Sequence, residues 1–545
     1  MHTPGPGPRH PAPAPSEDFR LPRLLPLAAA LTLALASVCA TAQESRLPDI
    51  GSSARELLSP TQEREYGSMM LAQLRHYEYT LEDPLVASWL DTLGTRLAAN
   101  SDKPRQAFTF FMMRDRQINA FATVGGYVGM NSGLVLAAER EDEVAAVLSH
   151  EIAHVTQQHV LRAVERAQKD QIPILLAMLA AVAASQAGGR SSDDAAQAIY
   201  TSAMALAQQR QIDYTRSNEA EADRLGIQTL SRSRYDTVAM ASFFEKLNAR
   251  SRANRAGLYG ETPDYLMTHP VTTTRISEAK ARAEQMSHAP ATFSGETGGS
   301  DNPLLPTGLK IGNALASGDT GQFDYARERL RVLSADSPAA AIREYDQLAR
   351  THALDDAQRY GLAVARIRAN QGAAAMAGLA ELLERHPGEL WLSLAMGEAE
   401  ARAGKAAQAD ARFEAVLASM PQNRPAVLTY ARVLSERDTA KAGKRAQAVL
   451  RPLLGQSSED PEFQQAFGRA SEIAGDPVRA GEAYAEAAYL KGRPEQALVQ
   501  LNTLLKRDDL DYYARSRIDA RIAAITPTVL ELKRQGVRDE DLQRH

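Results

Sequence analysis

The chain has 545 residues, too many for one ordinary hydrophobic core, so we expect several domains. Hydrophobic residues make up 44% and charged residues 24%, a balance that excludes an intrinsically disordered chain. The net charge of −5 and the lack of a long basic run give no reason to expect nucleic acid as a partner.

The first 42 residues have the pattern of a secretory signal peptide. Two arginines precede a short apolar run from Leu24 to Val38, and Ala40-Thr41-Ala42 ends it with small residues. The run is shorter than a comfortable membrane span, so we predict cleavage after Ala42 and a mature chain in a bacterial periplasm. A lipoprotein signal on Cys39 and an uncleaved anchor helix are the alternatives.

A short β-rich region interrupts an otherwise helical first domain. Residues Ala107–Asp115 and Ile118–Met130 are rich in aromatic and β-branched side chains, which favour strands. Gly125-Gly126 predicts a tight turn between these segments or within the second.

The stretch VLSHEIAHVTQQHV, Val147–Val160, predicts a helix with metal-binding side chains. His150 and His154 are four residues apart on one helix face, where two imidazoles can hold one zinc ion. Glu151 between them can reach the water that zinc activates and accept its proton. His159 lies about half a turn away from His150, on the far side of the helix, so we do not expect it to be a ligand.

Zinc also needs a third protein ligand, and RSNEAEADRLG, Arg216–Gly226, supplies a candidate. Glu219 and Asp223 share a helix face, and Ala220 and Ala222 would let that helix approach another closely. In this interpretation Glu219 completes a His-His-Glu site. Asp223 then accepts a hydrogen bond from a ligand histidine or helps to protonate the tetrahedral intermediate. The alternative is an ordinary solvated acidic face, since a third glutamate lies among them.

Two further segments separate this region from the rest of the chain. Residues 172–187 are the most apolar stretch of the mature chain, and they predict either a buried helix or a helix in peripheral contact with a membrane. Residues 287–308 are rich in Gly, Pro, Ser and Thr and predict a linker. We therefore expect the first domain to span residues 43–286.

Alanine-rich helix pairs follow the linker. Pro387 and Pro421 lie 34 residues apart, the period of a tetratricopeptide repeat, and Trp391, Gly404 and Phe413 stand at fitting positions between them. Looser units predict a solenoid over residues 309–530, followed by a polar tail at 531–545. An irregular helical bundle is the alternative.

The pair of motifs SHEIAHVTQQH and RSNEAEADRLG resembles the metallopeptidase family of the CAAX prenyl endopeptidases and the bacterial heat-shock membrane protease. The resemblance implies one zinc ion on His150, His154 and Glu219, with Glu151 as the general base and Asp223 as the supporting acid. It implies a mainly α fold with a small β-sheet, in which a helical zincin-like protease domain precedes an α-solenoid of tetratricopeptide-type repeats.

With its signal-like N-terminus and C-terminal repeats, the chain resembles the periplasmic branch of this family. That branch implies a zinc metalloendopeptidase that degrades misassembled outer-membrane β-barrel precursors and assists the assembly of good ones. Unfolded or stalled barrel proteins and the barrel-assembly machinery would be its partners. A chaperone or scaffold with a silent metal site and a non-peptidase zinc hydrolase are the rival functions.

Two features bear on substrate and regulation. We expect an extended substrate to pair with the edge strand that contains Asn119, Ala120, Phe121 and Ala122, although core packing would also explain this strand. The branch also shares the tripeptide Thr268-His269-Pro270, and the residue before a proline favours an extended loop. Our hypothesis is that His269 reaches the zinc's open position and holds the enzyme shut; a structural histidine is the alternative.

Overall fold

A computed structural model describes residues 58–166, 190–255, 264–287 and 318–534. The predicted signal peptide, the apolar stretch at 172–187 and all but the first residue of the predicted linker lie outside the described residues. Within the described ranges, no helix combines the length and the apolar character needed to cross a membrane.

Eight numbered α-helices, one further helical segment and three strands precede residue 288 in the described part of the chain. The helices are α1 Pro60–His76, α2 Pro84–Ala99, α3 Ser132–Ala137, α4 Glu141–Thr156, α5 Arg190–Arg232, α6 Val238–Arg255, α7 Asp264–Thr268 and α8 Thr273–Ser287. Residues 159–166 are also helical.

The three strands form one small sheet in the order β1-β3-β2: β1 Thr109–Met113, β2 Ala120–Ala122 and β3 Tyr127–Asn131. β1 is parallel to β3, and β2 is antiparallel to it, so β2 lies at an edge of the sheet. A 3₁₀ turn with left-handed glycines, Gly125 (φ 77°) and Gly126 (φ 85°), joins β2 to β3. A tight turn at this glycine pair was predicted from the sequence.

α4 is anchored at its first turn. Three acidic residues begin it, where the helix dipole favours negative charge. The buried Glu141 accepts hydrogen bonds from Trp89 Nε1 (3.0 Å), the Tyr235 hydroxyl (2.9 Å) and the Thr320 amide (2.8 Å). These contacts tie the start of α4 to α2, to the end of α5 and to the segment that leads into the C-terminal helices.

α5 packs closely against α4 through small residues. Ala222 is fully buried and forms a small apolar cluster with Ala153 and Leu225, and a Cβ on Gly226 would lie 3.2 Å from the His150 amide nitrogen. Such close packing brings side chains of α5 within bonding reach of those of α4.

Twelve helices follow residue 318 in the described range, and consecutive helices pack as repeat-like pairs. They are α9 Phe323–Leu333, α10 Pro338–Thr351, α11 Asp356–Arg368, α12 Gly372–Arg385, α13 Leu390–Arg402, α14 Ala406–Ser419, α15 Arg424–Ser435, α16 Ala440–Leu450, α17 Pro461–Ala474, α18 Pro477–Leu490, α19 Pro494–Leu505 and α20 Tyr512–Arg534. In the α13–α14 pair, Gly397 lets the Phe413 ring lie against the helix backbone, because a Cβ there would be 2.6 Å from the ring. The predicted fold class, mainly α with a small β-sheet and repeat-like helices, is confirmed.

The C-terminal helices contact the first region at the start of the array and again after α18. At the start, Arg329 of α9 makes a buried pair with Asp83, through Nε (2.8 Å) and Nη2 (2.7 Å). Further along, Arg493 Nε lies 3.3 Å from His76 Nδ1, and a Cβ on Gly492 would lie 2.7 Å from the Ala72 carbonyl oxygen. The helix pairs therefore lie along α1 and α2 instead of extending freely. The last helix continues four residues into the predicted polar tail.

Candidate metal centre

Three elements bring four donor atoms together. α4 carries His150 and His154, α5 carries Glu219, and His269 directly follows α7. Nε2 of His150 lies 3.0 Å from Nε2 of His154 and 3.4 Å from Nδ1 of His269. Oε1 of Glu219 lies 3.3 Å from Nε2 of His154 and 2.9 Å from Nδ1 of His269. All four donors lie within 4.8 Å of one another.

These distances fit a tetrahedral metal site. Zinc bonds of about 2.0–2.1 Å to nitrogen and oxygen place tetrahedral donors about 3.3–3.4 Å apart. Three imidazoles and one carboxylate are ligands that a zinc-like divalent cation prefers. The four side chains therefore fit such an ion.

Glu151 lies beside the four donors and is not one of them. Its side chain is 1% exposed, and its Oε1 has no hydrogen-bond partner among the described residues. Nε2 of His269 is 3.7 Å from that oxygen. A buried carboxylate oxygen without a partner is available to accept a proton at this site.

Asp223 and Arg275 lie behind the candidate ligands. Oδ1 of Asp223 lies 2.9 Å from Nδ1 of His150. Arg275 binds both carboxylate oxygens of Asp223 at 2.7 Å and also lies 2.8 Å from Oε2 of Glu219. Its guanidinium stacks over the Phe244 ring, 4.7 Å from the centroid. Arg275 was not predicted from the sequence, because a lone arginine has no spacing that marks it as buried.

Comparisons with known proteins agree with this geometry. Residues 84–283 match Peptidase family M48. The chain is 32% identical over 487 residues to the beta-barrel assembly-enhancing protease of Yersinia pestis, which covers 87% of this chain and 90% of that protein. The chain belongs to peptidase family M48.

Other relatives of this M48 peptidase differ in how much of it they cover. The beta-barrel assembly-enhancing protease of Escherichia coli K12 is 28% identical over 91% of this chain and 94% of its own length. The mitochondrial metalloendopeptidase OMA1 of Schizosaccharomyces pombe is 26% identical over 39% of this chain and 55% of its own length. The family resemblance and the metalloendopeptidase activity expected from the motifs are thus confirmed.

Burial and charge act strongly on the site of this M48 peptidase. Burial lowers the pKa of His150, but hydrogen bonds to Asp223 and Glu219 outweigh it and raise that pKa to about 10. Burial lowers the pKa of His154 to about 3. Burial raises the pKa of Glu219, but hydrogen bonds from His150, His154 and His269 prevail and hold it far below its usual range. The Glu219 carboxylate is therefore ionised among these imidazoles.

His159 of the M48 peptidase faces the site, and the expectation that it lies on the far side of the helix is wrong. α4 ends at Thr156, and Gln158 has a left-handed φ of 55°, so the chain turns before His159. Nδ1 of His159 then lies 2.9 Å from Nδ1 of His154. The predicted position of His159 was wrong because it was calculated for a helix that continues past Thr156.

The predicted substrate strand borders the metal helix of the M48 peptidase. Ala120, Phe121 and Ala122 form β2, and the strand contacts α4. The Asn119 carbonyl accepts a hydrogen bond from the Asn131 amide at 2.9 Å. Its buried side-chain Oδ1 has no hydrogen-bond partner in the described part of the chain.

Proposed function

We propose that this M48 peptidase is a zinc-dependent endopeptidase of a bacterial periplasm that degrades misassembled outer-membrane β-barrel precursors and assists the assembly of good ones. The convergence of His150, His154, Glu219 and His269 beside Glu151 carries the catalytic part of the proposal. The printed name of the relatives that align over nearly the whole chain supports the barrel-assembly part. The signal-like N-terminus supports export.

In the proposed chemistry His150, His154 and Glu219 hold the zinc ion. Zinc, when bound, polarises the scissile carbonyl and lowers the pKa of water toward neutrality. Glu151 accepts a proton from the attacking water at Oε1 and delivers it to the amine that leaves. Asp223 orients the His150 ring through Nδ1 and is itself held by Arg275.

The proposed substrate lies extended along β2. An added strand would pair with the backbone of Ala120–Ala122, which forms the edge of the sheet next to α4. Backbone pairing tolerates many sequences, as a protease of unfolded chains requires. The unpaired Oδ1 of Asn119 offers one more acceptor to such a chain.

His269 is proposed as a latch. Its Nδ1 takes a place in the donor set, and its ring stacks on Tyr265 of the short helix α7, with centroids 4.7 Å apart. The Tyr265 amide donates to the Ile118 carbonyl at 3.2 Å, so α7 lies against the entry to β2. In this position His269 competes with substrate for both the ion and the strand.

The C-terminal helix pairs are proposed to be tetratricopeptide-type repeats that dock substrate or the barrel-assembly machinery. The proposed domain bounds are residues 43–286 and 309–530, with residues 287–308 between them. Because α1 and α2 already cover part of the array, docking has to use the faces that remain open. A cavity of about 520 Å³ remains between the start of α2 and the first helices of five pairs, lined among others by Arg329, Val364, Glu398, Leu428 and Glu462. Peripheral membrane contact through residues 172–187 remains a prediction.

The decisive experiment compares the parent with Glu151→Gln. The variant should bind zinc with parental stoichiometry and lose casein digestion by about a factor of 10² or more, since the base is gone while the ligands remain. Metal analysis of the purified protein, with His150→Ala as the control that loses the ion, accompanies the assay. A Glu151→Gln variant that cleaves casein at the parental, chelator-sensitive rate would contradict the proposal.

A second candidate is a chaperone or scaffold for barrel assembly with a silent site. The presence of His269 among the donors favours it, because a fourth protein ligand closes the position that catalysis needs. The same Glu151→Gln variant separates the two functions. A scaffold keeps its role in the assembly of outer-membrane proteins in cells without the general base, whereas a protease loses the degradation of stalled precursors.

A further inference from the structure

The two ligand histidines of α4 have different partners at their outer nitrogens. Nδ1 of His150 lies 2.9 Å from a carboxylate oxygen of Asp223, the usual companion of a metal-bound imidazole. Nδ1 of His154 instead lies 2.9 Å from Nδ1 of His159. The second contact is between two imidazoles, which the ligand set and the general base leave unexplained.

Proton positions make this contact directional. Nε2 of His154 faces the other three donors, so its lone pair points there and its proton belongs on Nδ1. Among the described residues Nδ1 of His159 lies in place to accept that proton's hydrogen bond, and as an acceptor it leaves the proton of its own ring on Nε2. Nε2 of His159 in turn lies 3.0 Å from Oε2 of Glu221, a carboxylate that can accept it.

The rest of the chain holds this arrangement in place. Arg162 donates to the same Oε2 of Glu221 at 3.1 Å and to the Gln157 carbonyl at 3.2 Å. The left-handed φ of Gln158 is what brings His159 back toward α4. The side chain of His159 is only 4% exposed, so water does not compete well for its nitrogens.

We propose that His159 is a positioning residue, which accepts a hydrogen bond from Nδ1 of His154, donates one to Glu221, and so fixes the ring of His154 with Nε2 toward the metal. Arg162 completes the relay by holding Glu221. The inference rests on the proposed metallopeptidase function. It adds that the ring of His154 is held by a second imidazole, that of His159. By acting on His154 alone, His159 should affect metal affinity before it affects the proton transfers of Glu151.

The test compares two nearly isosteric substitutions. His159→Leu removes the acceptor, while His159→Asn places its Oδ1 where Nδ1 stood. The readouts are the dissociation constant for Zn²⁺, measured by competition with a chelating dye, and the visible absorption spectrum of the Co²⁺-loaded protein. We expect about 10–100-fold weaker binding for the leucine variant, the usual effect of losing a partner behind a ligand, and recovery of most of it by asparagine. His386→Leu, at an exposed histidine of the C-terminal helices, is the matched control and should bind as the parent does.

Each outcome decides the proposal. A folded His159→Leu protein with parental affinity overturns it, and so does an asparagine variant as weak as the leucine variant. Should the leucine variant fail to fold, Glu221→Ala removes the end of the relay at a partly exposed position, where parental affinity would overturn it equally. If the parent binds zinc and digests casein and the variants bind zinc as the parent does, only the positioning role is contradicted. A parent that does neither contradicts the proposed function itself.

Discussion

At the scale of single residues, His269 is the side chain on which activity should depend most visibly. It is 8% exposed, and its two ring nitrogens face Glu219 and Glu151, the proposed third ligand and the proposed base. A side chain in that place would occupy the fourth coordination position of the ion. It would also lie against the carboxylate of Glu151, the proposed base. Removing its ring should free both.

We therefore predict that His269→Ala digests casein faster than the parent, by several-fold. Initial rates at equal zinc content measure the effect. Met267→Ala is the control, because Met267 lies on α7, the short helix that directly precedes His269, but is 73% exposed, and it should leave the rate unchanged. A slower or unchanged rate for His269→Ala argues that the histidine is structural.

Residue roles were predictable only where they leave a local pattern. The spacing of His150 and His154 follows from one helical turn and needs nothing beyond the neighbouring sequence. Glu219 lies far along the chain, so its pairing with them rested on family resemblance. Arg275 and His159 leave no such trace: one is recognised only by its buried carboxylate partners, and the other depends on where a helix ends.

At the scale of elements, the approach of α5 to α4 positions Glu219. Ala222 forms a buried cluster with Ala153 and Leu225 where the two helices meet, and a larger side chain at Ala222 would push them apart. A displacement of about 1 Å is enough to spoil a coordination site.

Ala222→Leu should therefore weaken zinc binding strongly and lower the free energy of unfolding by about 1–3 kcal/mol. Chelator competition and urea denaturation provide the two measurements. Ala220→Leu carries the same change two residues earlier, at a half-buried position outside this contact, and should affect neither by much. Equal effects at both positions would mean that the close approach does not control the site.

The sheet shows what pattern alone can and cannot supply. β-branched and aromatic residues marked its strands, and the glycine pair marked the turn between β2 and β3. The order β1-β3-β2, with β1 parallel to β3, is not visible in any local segment, because it pairs strands that are not consecutive. The edge position of β2 follows from that order.

At the scale of the whole molecule, the peptidase region and the helix pairs are joined by charge buried between them. The Asp83 carboxylate and the Arg329 guanidinium are both less than 10% exposed, and Asp83 also caps α2 through the Val86 amide at 3.2 Å. Burial would raise the pKa of Asp83, but Arg329 outweighs it and keeps the carboxyl ionised. Each charge therefore depends on the other.

We predict that Asp83→Asn lowers the free energy of unfolding by about 3–5 kcal/mol, since it retains a capping side chain but leaves a buried cation without its counter-charge. Denaturant titration measures the loss. Asp102→Asn removes the partner of Arg232 from a more exposed pair and should cost about 1 kcal/mol or less. Pairing Asp83→Asn with Arg329→Met should restore part of the stability; no recovery would show that the cap, not the ion pair, was lost.

Two of the places where the array touches the peptidase region are Asp83 with Arg329 in α9 and Ala72 with Gly492 after α18, and four complete helix pairs, α11–α18, lie between them. Gain or loss of one pair between them by unequal recombination would carry the second contact a full period away from α1. Descendants of this gene should thus keep the internal copy number constant and accumulate length changes in loops or beyond Arg493. The contacts with the peptidase region therefore fix the number of helix pairs between them.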